Sequence, residues 1–560
     1  MGPADIIVVV VYLVGIAALG IYQQAKVKSS GDYFTGGRKF SKWLMVMHAL
    51  GTGTHADDPV GVTGACYQRG MGGIWWTYIY LFATPFYWVM APFFRRSRYV
   101  TTSDFFRERY SNALGVLYTV MGLLIFAVNT GTLLKGTGTI VQAVTGRADW
   151  EAPAIVLMTV VFVAYGFAGG LIATVITESV QGVLIVVMSL LLVPFGLAKL
   201  GGFHGLHGVL NAGMFSLAAD QEVDLQFAII GTIGMVIGIA GQPHIMEVCS
   251  TGKTEYEGRV GFTYGNFAKR FCAMGWALAG LIVAGMVAQG MLAAPAARED
   301  AFGLAIRELL PPGATGLMFA AILAAQMSTL SAFMVAGSAL FTRNVYKQYL
   351  ARGATDAQQL RVGRVAGLIV VVFGVALSLT VESVVDALTI FMAMAAWMGV
   401  LIWFGALWKR ATRKGAWVSF ITMMVIWLFF GKIGAMVGER VGGSSLLLSY
   451  LGAFAAKEDT DWLFAIQLAP GIALMVIGSM LTRPEDPERL RKFFRLIHTP
   501  VGKEHELEEA GIETVYMGER EGHPWELQHG RAVNVIGFAL ATVFAIAVLG
   551  ILYGLARIGT

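Results

Sequence analysis

Charge is scarce along this chain. Of its 560 residues 14% are Asp, Glu, Lys or Arg while 56% are hydrophobic, and the mean hydropathy is +0.65, which excludes an ordinary soluble globular protein. Cysteine is scarcer still. Cys66, Cys249 and Cys272 are the three present and show no CxxC or CxxH spacing. Neither a disulfide framework nor a zinc site is indicated, and they read as packing residues. No polar stretch is long enough for a soluble domain of useful size, and the basic clusters carry no nucleic-acid motif. No nucleophile, base and orienting group fall together, so an enzyme is not expected. The first apolar stretch has no basic leader and no small-residue cleavage site behind it, and it reads as a retained helix.

What is abundant is apolar runs. Those of about 18 residues or more predict about fourteen membrane-spanning helices. They fall near 5–22, 43–66, 74–94, 113–143, 152–169, 172–198, 226–248, 260–292, 314–342, 362–381, 384–408, 415–436, 461–481 and 533–556. The net charge of +5 matters less than where the basic residues stand. Lys26 to Lys42, Arg95 to Arg98, Arg343 to Arg364 and Lys409 to Lys414 hold the clusters, and with these spans all of them share one side of the membrane. The positive-inside rule makes that side the cytoplasm and puts both termini outside, as expected of a multi-pass protein of the cell membrane. The polar stretch 483–531 reads as a cytoplasmic linker before the last helix, with Phe493, Phe494 and Leu496 dipping into the membrane interface. A regulatory or partner-binding role is the alternative.

Two spans have interrupted interiors. The second carries Gly51-Thr52-Gly53-Thr54-His55-Ala56-Asp57-Asp58-Pro59 and the seventh Gly238, Gly241-Gln242-Pro243-His244, where glycine and proline predict locally broken helices. Matching interruptions five spans apart point to an inverted-repeat transporter with its ligand sites at the unwound midplane. The ninth span carries Ala325-Gln326-Met327-Ser328-Thr329-Leu330-Ser331. A helical carbonyl at i points toward i+4, so the Ala325 carbonyl lies beside the Ser328 and Thr329 side chains. Three such oxygens in hydrocarbon need a partner helix or a small hard cation, and back-bonded packing polarity is the competing account.

Three stretches resemble the sodium:solute symporter family, whose members carry sugars, proline, pantothenate and sialic acid. They are Asp32-Tyr33-Phe34-Thr35-Gly36-Gly37-Arg38, then Tyr165-Gly166-Phe167-Ala168-Gly169-Gly170-Leu171 with Thr177-Glu178-Ser179-Val180-Gln181, and the hydroxyl run continued through Ser338-Ala339-Leu340-Phe341-Thr342-Arg343-Asn344-Val345-Tyr346. The resemblance implies an all-α LeuT-like fold. Two inverted repeats of five helices (about 43–198 and 226–408) would have one helix before them and three after, in a single transporter domain over 1–560. It also implies sodium-driven import by alternating access, with Na+ as the coupling ion. Its conserved sodium site, carried over, falls on Gly51, Thr54, Ala325, Ser328 and Thr329. A second sodium in some members would fall on Glu178 and Ser331, although Ala332 stands where another hydroxyl is expected. Glu178 ordering the first site, binding a proton or packing against a hydroxyl are the other accounts.

Ionisable residues inside a span are costly and point to function. Asp57 and Asp58 follow the first interruption, Lys135 interrupts the fourth span, and Lys269 and Arg270 interrupt the eighth. Either one acid faces a cavity and captures an amine or ammonium group, or the acids are neutralised by Lys135, Lys269 or Arg270 and fix helix packing. The likeness to sugar carriers implies solute contacts at Asp57, Asp58, Thr77, Tyr80 and, with a one-residue shift, Lys269. Gln242 and His244 add polarity in the seventh span, Gln242 as a further candidate solute contact and His244 reading as a satisfied packing residue. Trp75 and Trp76 read as interfacial belt. Ile237 and Gly238 stand where sugar carriers have an aromatic gate and a tryptophan, which leaves no stacking face there and counts against a sugar. The partners expected are a small organic solute, sodium and the lipid bilayer, with no nucleic acid. A transporter-like sensor or channel is the alternative function.

Overall fold

The computed structural model describes residues 2–217, 225–379, 384–430, 460–509, 511 and 531–559. Among them the chain is helical, its only β feature an isolated parallel bridge between Phe40 and Gly252. The longer helices are α1 (Pro3–Tyr22), α2 (Lys42–Thr52), α3 (Asp57–Arg69), α4 (Thr84–Arg96), α5 (Asn112–Thr145), α6 (Glu151–Leu200), α7 (Leu225–Gly241) and α8 (Glu255–Ala288). There follow α9 (Ala314–Phe341), α10 (Asp356–Ser378), α11 (Val384–Leu407), α12 (Arg413–Phe430), α13 (Thr460–Leu481), α14 (Pro487–His498) and α15 (Arg531–Leu555).

Eight helices among the described residues are long and apolar enough to cross a membrane, fewer than the apolar runs suggested, for three local reasons. The second run splits into α2 and α3 at Gly53–Ala56. The third splits into Trp75–Tyr78 and α4, and the seventh ends at Gly241, resuming as the short helix Ile245–Ser250. Both interruptions expected in the second and seventh runs are therefore present. The end of the twelfth run lies outside the described residues.

One helix counts twice. At about 1.5 Å per residue the 50 residues of α6 are far too long for one crossing of an apolar layer about 30 Å thick. The chain turns back at Gly170, whose φ of 52° and ψ of −147° suit a residue without Cβ. Lys199 at the C-terminal end of α6 donates to the Glu308 carbonyl at 2.7 Å, and just before its N-terminal end a Cβ on Gly146 would lie 3.9 Å from Arg307 Nη1. This kink falls between the apolar runs read at 152–169 and 172–198.

α9 is the axis of the bundle. Its apolar stretch is wholly buried, and it packs on α1, α2, α5, α6 and α10. Against it stands α2, and α8 packs along both α2 and α3. Gly261 and Gly265 let α8 approach α2 closely, since a Cβ on Gly265 would lie 2.6 Å from the Val46 carbonyl oxygen, and small residues at this spacing are how membrane helices pack tightly. The basic clusters gather at one end of the bundle, where Arg343 meets Asp104 and Arg109 meets the carbonyls of Trp408 and Ala411. Asp5 with Gly313, and His204 with Gly559, lie at the other.

In the stretch after α13, the three side chains expected to dip into a membrane interface are covered by protein instead. Phe493, Phe494 and Leu496 are buried against the protein, with Phe493 edge-on to Phe105 at 5.5 Å and the Arg109 guanidinium over both rings. An amphipathic face specifies only that something apolar covers it, and here protein does. Residues 510 and 512–530 of that stretch lie outside the description.

Candidate functional site

The break between α2 and α3 frees two carbonyls. In an unbroken helix the Gly51 and Thr52 carbonyls would accept the N–H groups of His55 and Ala56. Those donors go elsewhere, His55 N–H to Asp58 Oδ2 at 2.8 Å and Ala56 N–H to Gln326 Oε1 at 3.1 Å. Gln326 is itself fixed, its amide donating to the Leu133 carbonyl. A buried acceptor left bare costs about 1–3 kcal/mol, so the freed carbonyls need company.

α9 supplies it. Ser328 Oγ lies 2.9 Å from the Gly51 carbonyl oxygen and 2.8 Å from that of Ala325. Thr329 Oγ1 lies 3.2 Å from the Gly51 carbonyl oxygen, 3.3 Å from that of Thr52 and 3.3 Å from that of Ala325. Five oxygens thus converge with two hydroxyl protons among them, and each hydroxyl has a single proton for several acceptors. A hard cation satisfies such a set better than two protons do. Of the residues read as sodium ligands, Gly51, Ala325, Ser328 and Thr329 come together. Thr54 is buried with an unpartnered hydroxyl, and from the same break the Thr52 carbonyl joins the cluster.

Glu178 and Ser331 have separate partners. Ser331 back-bonds to the Ser328 carbonyl at 2.9 Å. Glu178, wholly buried, lies against Gly51. Its Oε1 accepts the Thr52 hydroxyl at 2.9 Å, and its Oε2 is 2.5 Å from His48 Nδ1. His48 carried no motif and was not singled out in the sequence; a lone histidine one turn before a helix break is the signal that finds it.

Beside the oxygen cluster lies a cavity of about 210 Å³. All six residues read as solute contacts line it: Asp57, Asp58, Thr77, Tyr80, Gln242 and Lys269. Lys269 Nζ lies 2.8 Å from Asp58 Oδ2 and also donates to the Gly53 carbonyl, so this pair closes the break and cancels its own charge. Lys135 is not a partner of either acid. It pairs with Glu151 at 2.8 Å. Asp57 Oδ1 is buried without a hydrogen-bond partner, His55 Nδ1 standing 3.7 Å away. Arg270 also reaches the cavity, donating to Thr77 Oγ1 at 2.6 Å with its guanidinium 5.2 Å from the Tyr80 ring centroid.

Three expectations change. Trp76 lines the cavity, while Trp75 donates to the Leu217 carbonyl. Aromatic rings do line the cavity: Ile237 and Gly238 carry none, but Phe333, Phe262, Tyr87 and Phe391 reach it from other helices, Tyr87 and Phe262 stacked on each other. His244 is not satisfied, since its Nδ1 is buried without a hydrogen-bond partner and its ring lies 5.1 Å from Phe333.

The family model for the sodium:solute symporter family matches residues 33–423. The chain is 27% identical over 500 residues to the osmoregulated proline transporter of Bacillus subtilis, covering 84% of this chain and 92% of that one. It is 25% identical over 450 residues to the sodium/proline symporter of Escherichia coli, covering 76% and 88%. Among solved structures it superposes on a Na+-coupled sialic acid symporter in a substrate-bound outward-open state with a TM-score of 0.74 and 17% identity, covering 86% of this chain and 99% of that one. That likeness gives the fold. With the family model matched over most of its length and several helices long and apolar enough to cross a membrane, the chain is a multi-pass membrane protein that belongs to the sodium:solute symporter family and imports a small solute coupled to sodium.

Proposed function

We propose that sodium binds at the oxygen cluster between the α2/α3 break and α9, and that the solute occupies the adjoining cavity. The sodium ligands are the carbonyls of Gly51 and Ala325 and the hydroxyls of Ser328 and Thr329. A fifth oxygen comes from the break, from Thr54 as the family resemblance has it or from Thr52, whose carbonyl already meets the Thr329 hydroxyl. The convergence of these oxygens from helices 277 residues apart carries this reading. Because the ligands sit on both sides of a broken helix, the ion ties α2 to α9 when it binds, which biases the chain toward one state of an alternating-access cycle.

Glu178 acts here by holding the Thr52 side chain, so the cluster is one sodium site, and Ser331 supports it through the Ser328 carbonyl. Asp58 and Lys269 brace the break; Asp57, Thr77, Tyr80 and Gln242 face the solute. The architecture proposed is the LeuT-like pair of five-helix repeats, about 43–198 and 226–408, within about fourteen crossings. The basic end faces the cytoplasm of the cell membrane and both termini face out. Solute uptake into proteoliposomes with sodium or potassium outside tests the reading. Uptake that rises with external sodium is expected, and equal uptake in both salts would sink it.

A further inference from the structure

The charges that line the cavity do not cancel pair by pair within the protein. Asp58 is matched by Lys269 at 2.8 Å. That leaves Asp57 and Arg270. The Asp57 Oδ1 atom is buried with no hydrogen-bond partner; His55 Nδ1, at 3.7 Å, is beyond hydrogen-bond range and pairs with it by charge only when the imidazole is protonated. Arg270 is 2% exposed. Of its five N–H donors one goes to the Thr77 hydroxyl, Nε is buried without a partner, and among the described residues no carboxylate comes within ion-pair distance of it. Its guanidinium lies over the Tyr80 ring, 5.2 Å from the centroid.

A buried, unpaired charge is costly, and two of opposite sign facing one cavity define what relieves them. A neutral sugar would leave both unmatched. An anion would meet Arg270 and be repelled by Asp57, and a cation the reverse. From this charge inventory we propose that the cavity takes a zwitterion of the amino-acid type, its ammonium group against Asp57 and its carboxylate on Arg270, with Thr77 and Tyr80 holding the guanidinium in place. This rests on the assignment of the cavity as the solute site. Arg270 suits the role because its planar fork matches a carboxylate with two parallel hydrogen bonds.

Thermal unfolding of the full chain in detergent, in sodium and in potassium, tests it with free L-amino acids including L-proline, their methyl esters and their N-acetyl derivatives. Sodium alone is expected to stabilise the protein, and at least one free amino acid to stabilise it further in sodium by mass action. The ester, which lacks the carboxylate, and the N-acetyl form, which lacks the ammonium, should each bind at least about tenfold more weakly, the scale of one lost charge-assisted hydrogen bond. Arg270→Gln should narrow the gap between free acid and ester, and Asp57→Asn the gap between free acid and N-acetyl form. If either variant fails to fold, the wild-type series decides alone. Stabilisation by sodium with no response to any free amino acid, or with ester or N-acetyl form binding as tightly, overturns the zwitterion while leaving the sodium site standing. No stabilisation by sodium removes the site assignment and this inference with it.

Discussion

Ser328 donates its hydroxyl proton to the carbonyl oxygen of Gly51 at 2.9 Å. The acceptor is available because its helical donor, the His55 N–H, has turned to Asp58. Sodium binding would displace that proton and take both oxygens. Ser328→Ala and Thr329→Ala should each raise the sodium concentration for half-maximal uptake about tenfold, since one ligand oxygen is worth about 1.4 kcal/mol on the affinity scale. The measurement is uptake against sodium concentration. Unchanged sodium dependence in both variants would take these hydroxyls out of the coordination shell.

The sequence makes the α9 half of this site legible because helix geometry is local: residues three and four apart must face each other whatever surrounds them. The break is legible for the same reason, through Gly51, Gly53 and Pro59. What joins the two halves is not local. Nothing in the run around Glu178 reveals that His48, 130 residues earlier, lies 2.5 Å away, and nothing around Arg270 reveals Thr77, 193 residues off. The choice between Lys135 and Lys269 as partner for Asp58 was open in the sequence because charge alone has no direction. Phe493 and Phe494 show the same limit, since period alone does not say whether lipid or protein covers an apolar face.

His48 and Glu178 form a wholly buried pair whose partner hydroxyl belongs to Thr52, next to the sodium-site carbonyl. Removing one member leaves the other unmatched, at a cost of about 3–5 kcal/mol, whereas replacing both by apolar groups of similar size costs far less. His48→Leu and Glu178→Met should each lower the melting temperature and raise the sodium requirement. The double variant should be more stable than the sum of the singles by about 1–3 kcal/mol, the coupling expected of residues in contact. A double-mutant cycle on purified protein measures this, and strictly additive losses would mean that the two side chains act independently.

Outside the spans, Asp104 ties two segments of the basic end together. Its Oδ2 accepts from Arg343 Nε at 2.8 Å, and its Oδ1 lies 2.9 Å from Arg107. Burial pushes the carboxyl up, but Arg343 and Arg107 outweigh it and hold it below the ordinary value of 3.8. A depressed carboxylate contributes stability that is present in full above its unfolded value and is lost as pH falls through its folded value. Wild type should therefore lose this contribution only at pH below about 4. Asp104→Asn should lose it at neutral pH, at or below the about 3–5 kcal/mol of a broken buried pair because both arginines keep some solvent contact. Melting temperature against pH should show the variant and wild type converging in acid.

α14 is anchored by charge as well as by rings. Arg489 donates to the Glu108 and Arg107 carbonyls. Arg98, in the left-handed region with φ of 57°, donates to the carbonyls of Thr499 at 3.1 Å and Pro500 at 2.9 Å and pairs with Glu504 at 2.9 Å. A non-glycine residue is held in that conformation only where its surroundings over-determine it. Phe493→Ala should then cost up to the about 3–5 kcal/mol of a buried phenylalanine, and cleavage by added protease within residues 499–511 should become faster. The comparison that decides is detergent-solubilised wild type against Phe493→Ala, by melting temperature and by limited proteolysis. Were the ring turned toward lipid, detergent would replace that cover in both proteins, and the substitution would leave stability and cleavage rate unchanged.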